Sequence, residues 1–280
     1  MDMSCKPSVL EKHYGDCPYR PDVCGVIIPG ARGRLLSVIH TAAGPGLHPV
    51  VLLLHGIPGY EKNYDLAQAL RRDGFHVVTF HYSGSWGSDG DYSLSNDLED
   101  ANTVLDYILA DQSHGFDKAQ IFAVGHSLGG FVCGQLTARR AEIKGGVLLM
   151  PCDIGRVDQI AAEDPIAFET IKAVLADAAA WLRGVTEDSL LREARAGAEE
   201  FRLENLAGQL AKKPVFCISG DMDIYTSPRH NCLPLEQVVR EAGGTQFRRL
   251  SLHTDHCFSD YRLTVAQRIS DYLTELVTGL

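Results

Sequence analysis

Gln120-Ile121-Phe122-Ala123-Val124-Gly125-His126-Ser127-Leu128-Gly129-Gly130 is the stretch that decides how this chain reads. Gln120 to Val124 has strand length and strand composition, and from Leu128 to Arg140 the pattern becomes helical. A strand that passes so abruptly into a helix leaves no room for side chains beside the turn. Glycine at 125 and 129, with Gly130 behind, relieves that crowding and lets Ser127 take strained backbone angles. The Ser127 hydroxyl is then raised above the sheet, and the helix N-terminus behind it favours developing negative charge. Ser127 reads as a nucleophile. A bare G-x-S-x-G is common; its place between strand and helix is what gives it weight.

The same alternation continues on both sides. Upstream, Pro49-Val50-Val51-Leu52-Leu53-Leu54-His55 is a continuous apolar run that suits a central parallel strand buried on both faces. Leu66, Ala69 and Leu70 mark a helix closed by Asp73-Gly74, and Phe75 to Phe80 is the next strand. Two further strands flank the Pro29–Gly33 break between Val23 and His40. Leu98, Ala101, Val104, Leu105 and Ile108 form a helical stripe. Downstream come a strand over Gly146 to Met150, another over Pro214 to Ser219, a helix near Leu235 to Ala242, a strand over Gln246 to Leu252 and a last helix over Val265 to Val277. Strands alternating with helices predict an α/β protein with a mostly parallel sheet and right-handed crossovers.

Residues 151–213 break the rhythm. They are alanine-rich, lack strand signals, and carry Ile160, Ile171, Val174, Leu175 and Trp181 at helical spacing. The expected organisation is one core, 1–150 with 214–280, preceded by an extension over 1–22. A helical insertion over 151–213 then covers one end of the sheet.

Parallel sheets bind ligands beyond the carboxyl ends of their strands, so partners for Ser127 belong on the loops there. Acyl transfer needs two backbone donors for an oxyanion. Leu128, next after the nucleophile, offers one. In His55-Gly56-Ile57-Pro58-Gly59, Gly56 permits close approach and Ile57 supplies the second N–H, since Pro58 has none. The late loop Leu252-His253-Thr254-Asp255-His256-Cys257-Phe258 holds the general base, with His256 favoured and His253 second. The acid that orients the base belongs between them in the chain. Gly220-Asp221-Met222-Asp223 provides it, with Asp223 favoured, Asp221 an alternative that suits a local turn, and Asp153 a more distant one. His126 points away by turn geometry and reads as structural.

On these motifs, with Pro228 downstream, the chain resembles the α/β-hydrolase superfamily, especially small bacterial esterases and the serine aminopeptidase-like and prolyl-oligopeptidase-like hydrolases. The resemblance runs from about Val23 to the C-terminus outside the insertion. It implies Ser127 as nucleophile, Asp223 as acid, His256 as base, and Ile57 with Leu128 as oxyanion donors. It implies that the insertion is a cap shaping the acyl pocket, which makes Trp181 a candidate pocket wall. Phe80-His81-Tyr82-Ser83-Gly84-Ser85-Trp86-Gly87-Ser88 resembles a loop near the pocket, with Trp86 a candidate substrate contact. Ser83 stands where many such hydrolases have arginine.

Composition narrows the rest. With 280 residues, 45% hydrophobic and 22% charged, the chain reads as an ordinary globular protein. A net charge of −10 without a basic cluster argues against nucleic acid or an anionic membrane as partner. The first twenty residues lack the apolar core of a secretory signal, and no apolar run is long enough to span a bilayer, so a cytoplasmic protein is expected. Eight scattered cysteines without a C-x-x-C predict neither a metal site nor a cofactor cluster. Cys257, beside the candidate base, is the thiol to watch for oxidation. The leading expectation is a carboxylic-ester hydrolase working through an acyl-enzyme on a small-molecule substrate. An amidase or short-peptide peptidase with the same residues comes next, favoured if Glu163, Asp164 or Glu169 captures an amine. A non-catalytic receptor on a hydrolase scaffold is third. A haloalkane-dehalogenase reading fails, because its nucleophile is an aspartate.

Overall fold

The computed structural model describes residues 14 and 17–279; most of the expected N-terminal extension lies outside them. Eight strands among these residues form one sheet: β1 (Asp22–Gly30), β2 (Gly33–Thr41), β3 (His48–Leu54), β4 (His76–Phe80), β5 (Phe116–His126), β6 (Ile143–Leu149), β7 (Val215–Gly220) and β8 (Phe247–Leu252). Their order is β1-β2-β4-β3-β5-β6-β7-β8. β2 runs antiparallel to both β1 and β4, and every other pairing is parallel. The sequence reading placed β5 at Gln120; in the fold it starts at Phe116, because Pro49 and Val50 of β3 are split in register by a bulge that admits the extra residues.

β3 explains why the sheet is central. Val50, Leu52 and Leu54 join one apolar cluster, and Val51 and Leu53 join another on the opposite face. The strand's period of two thus distributes an unbroken apolar run between two cores. On one face pack α1 (Tyr64–Arg72) and α10 (Arg262–Thr278) through Leu66, Leu70, Ile269 and Leu273. On the other pack α2 (Leu94–Ala110), α3 (Leu128–Arg139) and α9 (Cys232–Glu241) through Val104, Leu105, Phe131 and Val239.

Between β6 and β7 the described chain is helical: α4 (Val157–Glu163), α5 (Pro165–Ala179), α6 (Glu187–Ala196) and the single turns α7 (Ala198–Phe201) and α8 (Ala207–Leu210). Local chemistry sets the boundaries. Asp164 accepts the Ala167 N–H at 3.0 Å and Pro165 opens the first turn of α5. Thr186 and Ser189 form a reciprocal capping box at α6. Leu182, Leu190, Leu191 and Leu203 from this segment belong to the same apolar cluster as α2 and α3, so the insertion is continuous with the core. In α5, by contrast, only Ala178 is fully buried. Its apolar face (Ile171, Val174, Leu175) is only partly buried and lines a cavity. No helix among the described residues is long and apolar enough to cross a membrane.

Candidate active site

Ser127 sits between β5 and α3 with φ 59° and ψ −119°, a region a serine occupies only when its surroundings impose it. The glycines show why. A Cβ on Gly125 would lie 1.9 Å from the Gly129 carbonyl oxygen, and one on Gly129 would lie 2.2 Å from the Leu54 oxygen. Both obstacles are backbone, so neither can swing aside. The Ser127 N–H donates to Leu149 O at 2.8 Å, tying the turn to β6. The Ser127 side chain does not cap α3 and faces the cavity.

Gly56 closes over it. A Cβ there would stand 3.0 Å from Ser127 Cβ and 3.5 Å from its Oγ, so only glycine lets the β3 loop come this near. Ile57 and Leu128 line the cavity beside Ser127. The Leu128 N–H, first in its helix, has no intrahelical acceptor. Sequence reasoning passed over what braces this loop. His55, fully buried, bonds Gly56 O through Nδ1 at 2.7 Å; burial, with His81 nearby, lowers its pKa to about 3 and keeps it neutral. The Trp86 Nε1–H donates to Pro58 O at 2.5 Å.

His256 Nδ1 is 2.8 Å from Asp223 Oδ2. Asp223 is fixed in turn. Its Oδ1 accepts the N–H groups of Tyr225 (2.8 Å) and Thr226 (3.0 Å), and the Thr226 hydroxyl donates to Oδ2 at 2.6 Å. Burial pushes the Asp223 pKa up, but the His256 hydrogen bond and charge, with the Thr226 bonds, outweigh it and hold the carboxyl below its ordinary range. An ionised Asp223 keeps the proton on Nδ1 of His256 and leaves Nε2 free to accept another. Thr226 was missed; an aspartate followed three residues later by threonine is a turn signal that could have found it. His126 proves structural as expected: its Nε2–H reaches the His256 carbonyl at 2.8 Å, and burial lowers its pKa to about 3.

The alternatives go elsewhere. Asp221 and His253 pair with each other at 2.9 Å on the surface, with side chains 56% and 76% exposed. Asp153 is buried in the cavity wall, where both carboxylate oxygens take the Leu203 N–H at 3.1–3.2 Å. Neither Trp86 nor Trp181 is among the residues lining the cavity. They stack on each other (5.8 Å between centroids, 21° between planes), with Tyr60 edge-on to Trp181 at 5.6 Å and Lys62 Nζ 3.7 Å from the Trp86 centroid. Tyr60, whose hydroxyl donates to Asp177 of α5 at 2.8 Å, is the aromatic ring of this cluster that reaches the cavity. The cluster clasps α5 and its C-terminal turn to the loop after β3. Cys257 is exposed at the cavity, and partial desolvation of its thiol, with Asp255 nearby, raises its pKa.

Fold and site together describe an α/β hydrolase, and residues 51–263 match the model of the alpha/beta hydrolase family: the chain belongs to that family. Among curated proteins it is similar to the lysophosphatidylserine lipase ABHD12 of Gallus gallus, 36% identical over 115 residues, which are 40% of this chain and 29% of that protein. The matched stretch thus spans less than a third of that relative. Among solved structures it resembles Est1E from Butyrivibrio proteoclasticus (TM-score 0.69, 18% identity, 91% of this chain and 99% of that one). It also resembles the Pyrococcus horikoshii acylaminoacyl peptidase (TM-score 0.67, 14% identity, 91% of this chain and 42% of that one). At such identities the structural likeness speaks for the fold.

Proposed function

We propose that the protein is a serine-dependent carboxylic-ester hydrolase in which Ser127, His256 and Asp223 act as a triad. The observation that carries this reading is convergence: the strained Ser127, the Asp223-oriented His256 and the Gly56–Ile57 turn come from three separate loops and meet at one cavity. In the first half-reaction His256 Nε2 takes the hydroxyl proton as Ser127 Oγ bonds to the ester carbonyl carbon. The N–H groups of Ile57 and Leu128 receive the oxyanion. The C–O bond to the alcohol then breaks, and the proton on His256 leaves with the alcohol. In the second half, water gives a proton to His256, attacks the acyl-enzyme and releases the acid, and Ser127 recovers its proton. The helical segment over 151–213 acts as the cap.

The peptidase reading shares every step and differs in the bond cleaved. Its amine-capturing candidates are already engaged. Lys172 Nζ donates to Glu169 at 2.8 Å, and Asp164 both caps α5 and lies 3.1 Å from His230 Nε2. Glu163 lies 4.0 Å from His230 Nδ1. The ester reading is therefore preferred. A panel of chromogenic esters beside aminoacyl anilides, on native protein and Ser127→Ala, tests it. The variant is expected to lose about 10⁶-fold in kcat on the best ester. Undiminished turnover would remove Ser127 from the mechanism, and anilides faster than matched esters would move the assignment to a peptidase. A serine-directed phosphonate that labels nothing would favour a receptor.

A further inference from the structure

We propose that the substrate is an uncharged ester with a medium-to-long acyl chain, which lies in the interior of the cavity, and that an anionic group on the alcohol is excluded. This rests on the ester-hydrolase reading above. The cavity has a volume of about 750 Å³, well beyond what an acetyl group fills. Its inner wall is made by Leu94, Val157, Ile160, Leu190 and Ala194, all buried and all aliphatic. They come from the first turn of α2 and from α4 and α6, so the wall is supplied largely by the inserted helices. An acyl chain there exchanges water for hydrocarbon along its length. A polar alcohol placed there would lose its hydrogen bonds to water, which fixes the orientation: acyl group inward, alcohol toward the open mouth.

Charge supplies the second constraint. The lining contains three acidic residues, Asp153, Glu169 and Asp177, and neither lysine nor arginine; Asp153 is buried, which raises its pKa to about 7. Glu169 is paired with Lys172, whereas Asp177 receives the neutral Tyr60 hydroxyl. Lys62, on the loop after β3, is directed to the Trp86 ring and the Gly59 carbonyl. A phosphate or carboxylate on the alcohol would thus enter a mouth that carries the like charge of Asp177, with no lysine or arginine lining it. A neutral alcohol meets no such penalty.

The test measures kcat/KM for 4-nitrophenyl acetate, butanoate, octanoate and dodecanoate, each below its aggregation concentration, on native protein and on Ala194→Phe and Ile160→Trp. Each methylene that finds apolar wall is worth about fourfold, so octanoate should exceed acetate by at least a hundredfold in the native protein. Either variant should lower its own octanoate-to-acetate ratio by at least tenfold. A ratio within one preparation does not depend on how much of it is folded. In a second arm, octanoate release from 1-octanoylglycerol should exceed that from its 3-phosphate at least tenfold, and Asp177→Asn should narrow the gap. A flat chain-length profile in the native protein, or ratios unmoved in both variants, would overturn the acyl assignment. Equal or faster turnover of the phosphate ester would overturn the exclusion of anions. Both results leave the ester-hydrolase reading standing. An absence of any Ser127-dependent ester turnover would end that reading and this inference together.

Discussion

Asp223 and Asp221 stand two residues apart, and so nearly do the histidines they meet, yet their surroundings differ completely. Asp223 is buried, holds His256 at 2.8 Å and is itself held by Tyr225 and Thr226. Asp221 shares an exposed hydrogen bond with His253, of the kind of surface contact whose contribution to stability is small. In the proposed mechanism the Asp223→Asn variant loses about 10⁴-fold in kcat/KM, because an amide no longer enforces the Nδ1-protonated tautomer. Asp221→Asn should stay within about threefold of native, the range of a surface change. Ester kinetics on the two purified variants decide it, and comparable losses would mean the wrong aspartate had been assigned. The preference for Asp223 was legible as a loop argument; the existence of a second, decoy pair was not. Residues close in sequence on two different loops pair according to how those loops cross.

At the scale of elements, Asp153 joins three pieces that sequence separates. It follows β6, its carboxylate takes the Leu203 N–H ahead of α8, and its own N–H donates to Asn231 at the start of α9 at 2.8 Å. Burial, opposed by the Leu203 bond, raises its pKa to about 7. The folded protein therefore keeps a proton that the unfolded chain releases near pH 4. The stability tied to that proton is fully present below about pH 4 and is lost as pH rises toward 7. Asp153→Asn removes this dependence, so its Tm relative to native should rise between pH 5 and pH 8; a constant offset in thermal melts would contradict the assignment. The helices around Asp153 were legible as helices from their periodicity. That α5 spends its apolar face on a cavity was not, because amphipathicity marks a face without saying whether a core or a void lies opposite. Trp86 and Trp181 stack on each other, and through Tyr60 their cluster joins the loop after β3 to α5 at the cavity.

For the whole molecule, five buried or half-buried histidines set the acid limit. Burial lowers His55 and His126 to about 3, and His40, His76 and His81 to about 4. Each remains neutral in the fold while the unfolded chain binds a proton below about pH 6.5. Stability is therefore lost as pH falls from there toward 4, at up to about 1.4 kcal/mol per pH unit for each fully buried ring. Asp97, Asp100 and Asp153, raised chiefly by burial, act in the opposite sense but are fewer. The urea midpoint should decline steadily between pH 6.5 and pH 4.5; a midpoint that held constant or rose would mean that the buried acids dominate.

By itself the sequence determined the α/β alternation, the strand–Ser127–helix turn and the residue types that serve it, because these follow from steric and periodic rules acting within a few residues of one another. Glycine at 56, 125 and 129 is a local demand for space and reads directly. The tertiary structure alone decided that Asp221 pairs with His253, that the His126 ring reaches the His256 carbonyl, and that α4, α5 and α6 enclose an apolar cavity lined by neither lysine nor arginine. Those are meetings between groups tens to hundreds of residues apart. They depend on how elements cross in space, and no local pattern encodes that.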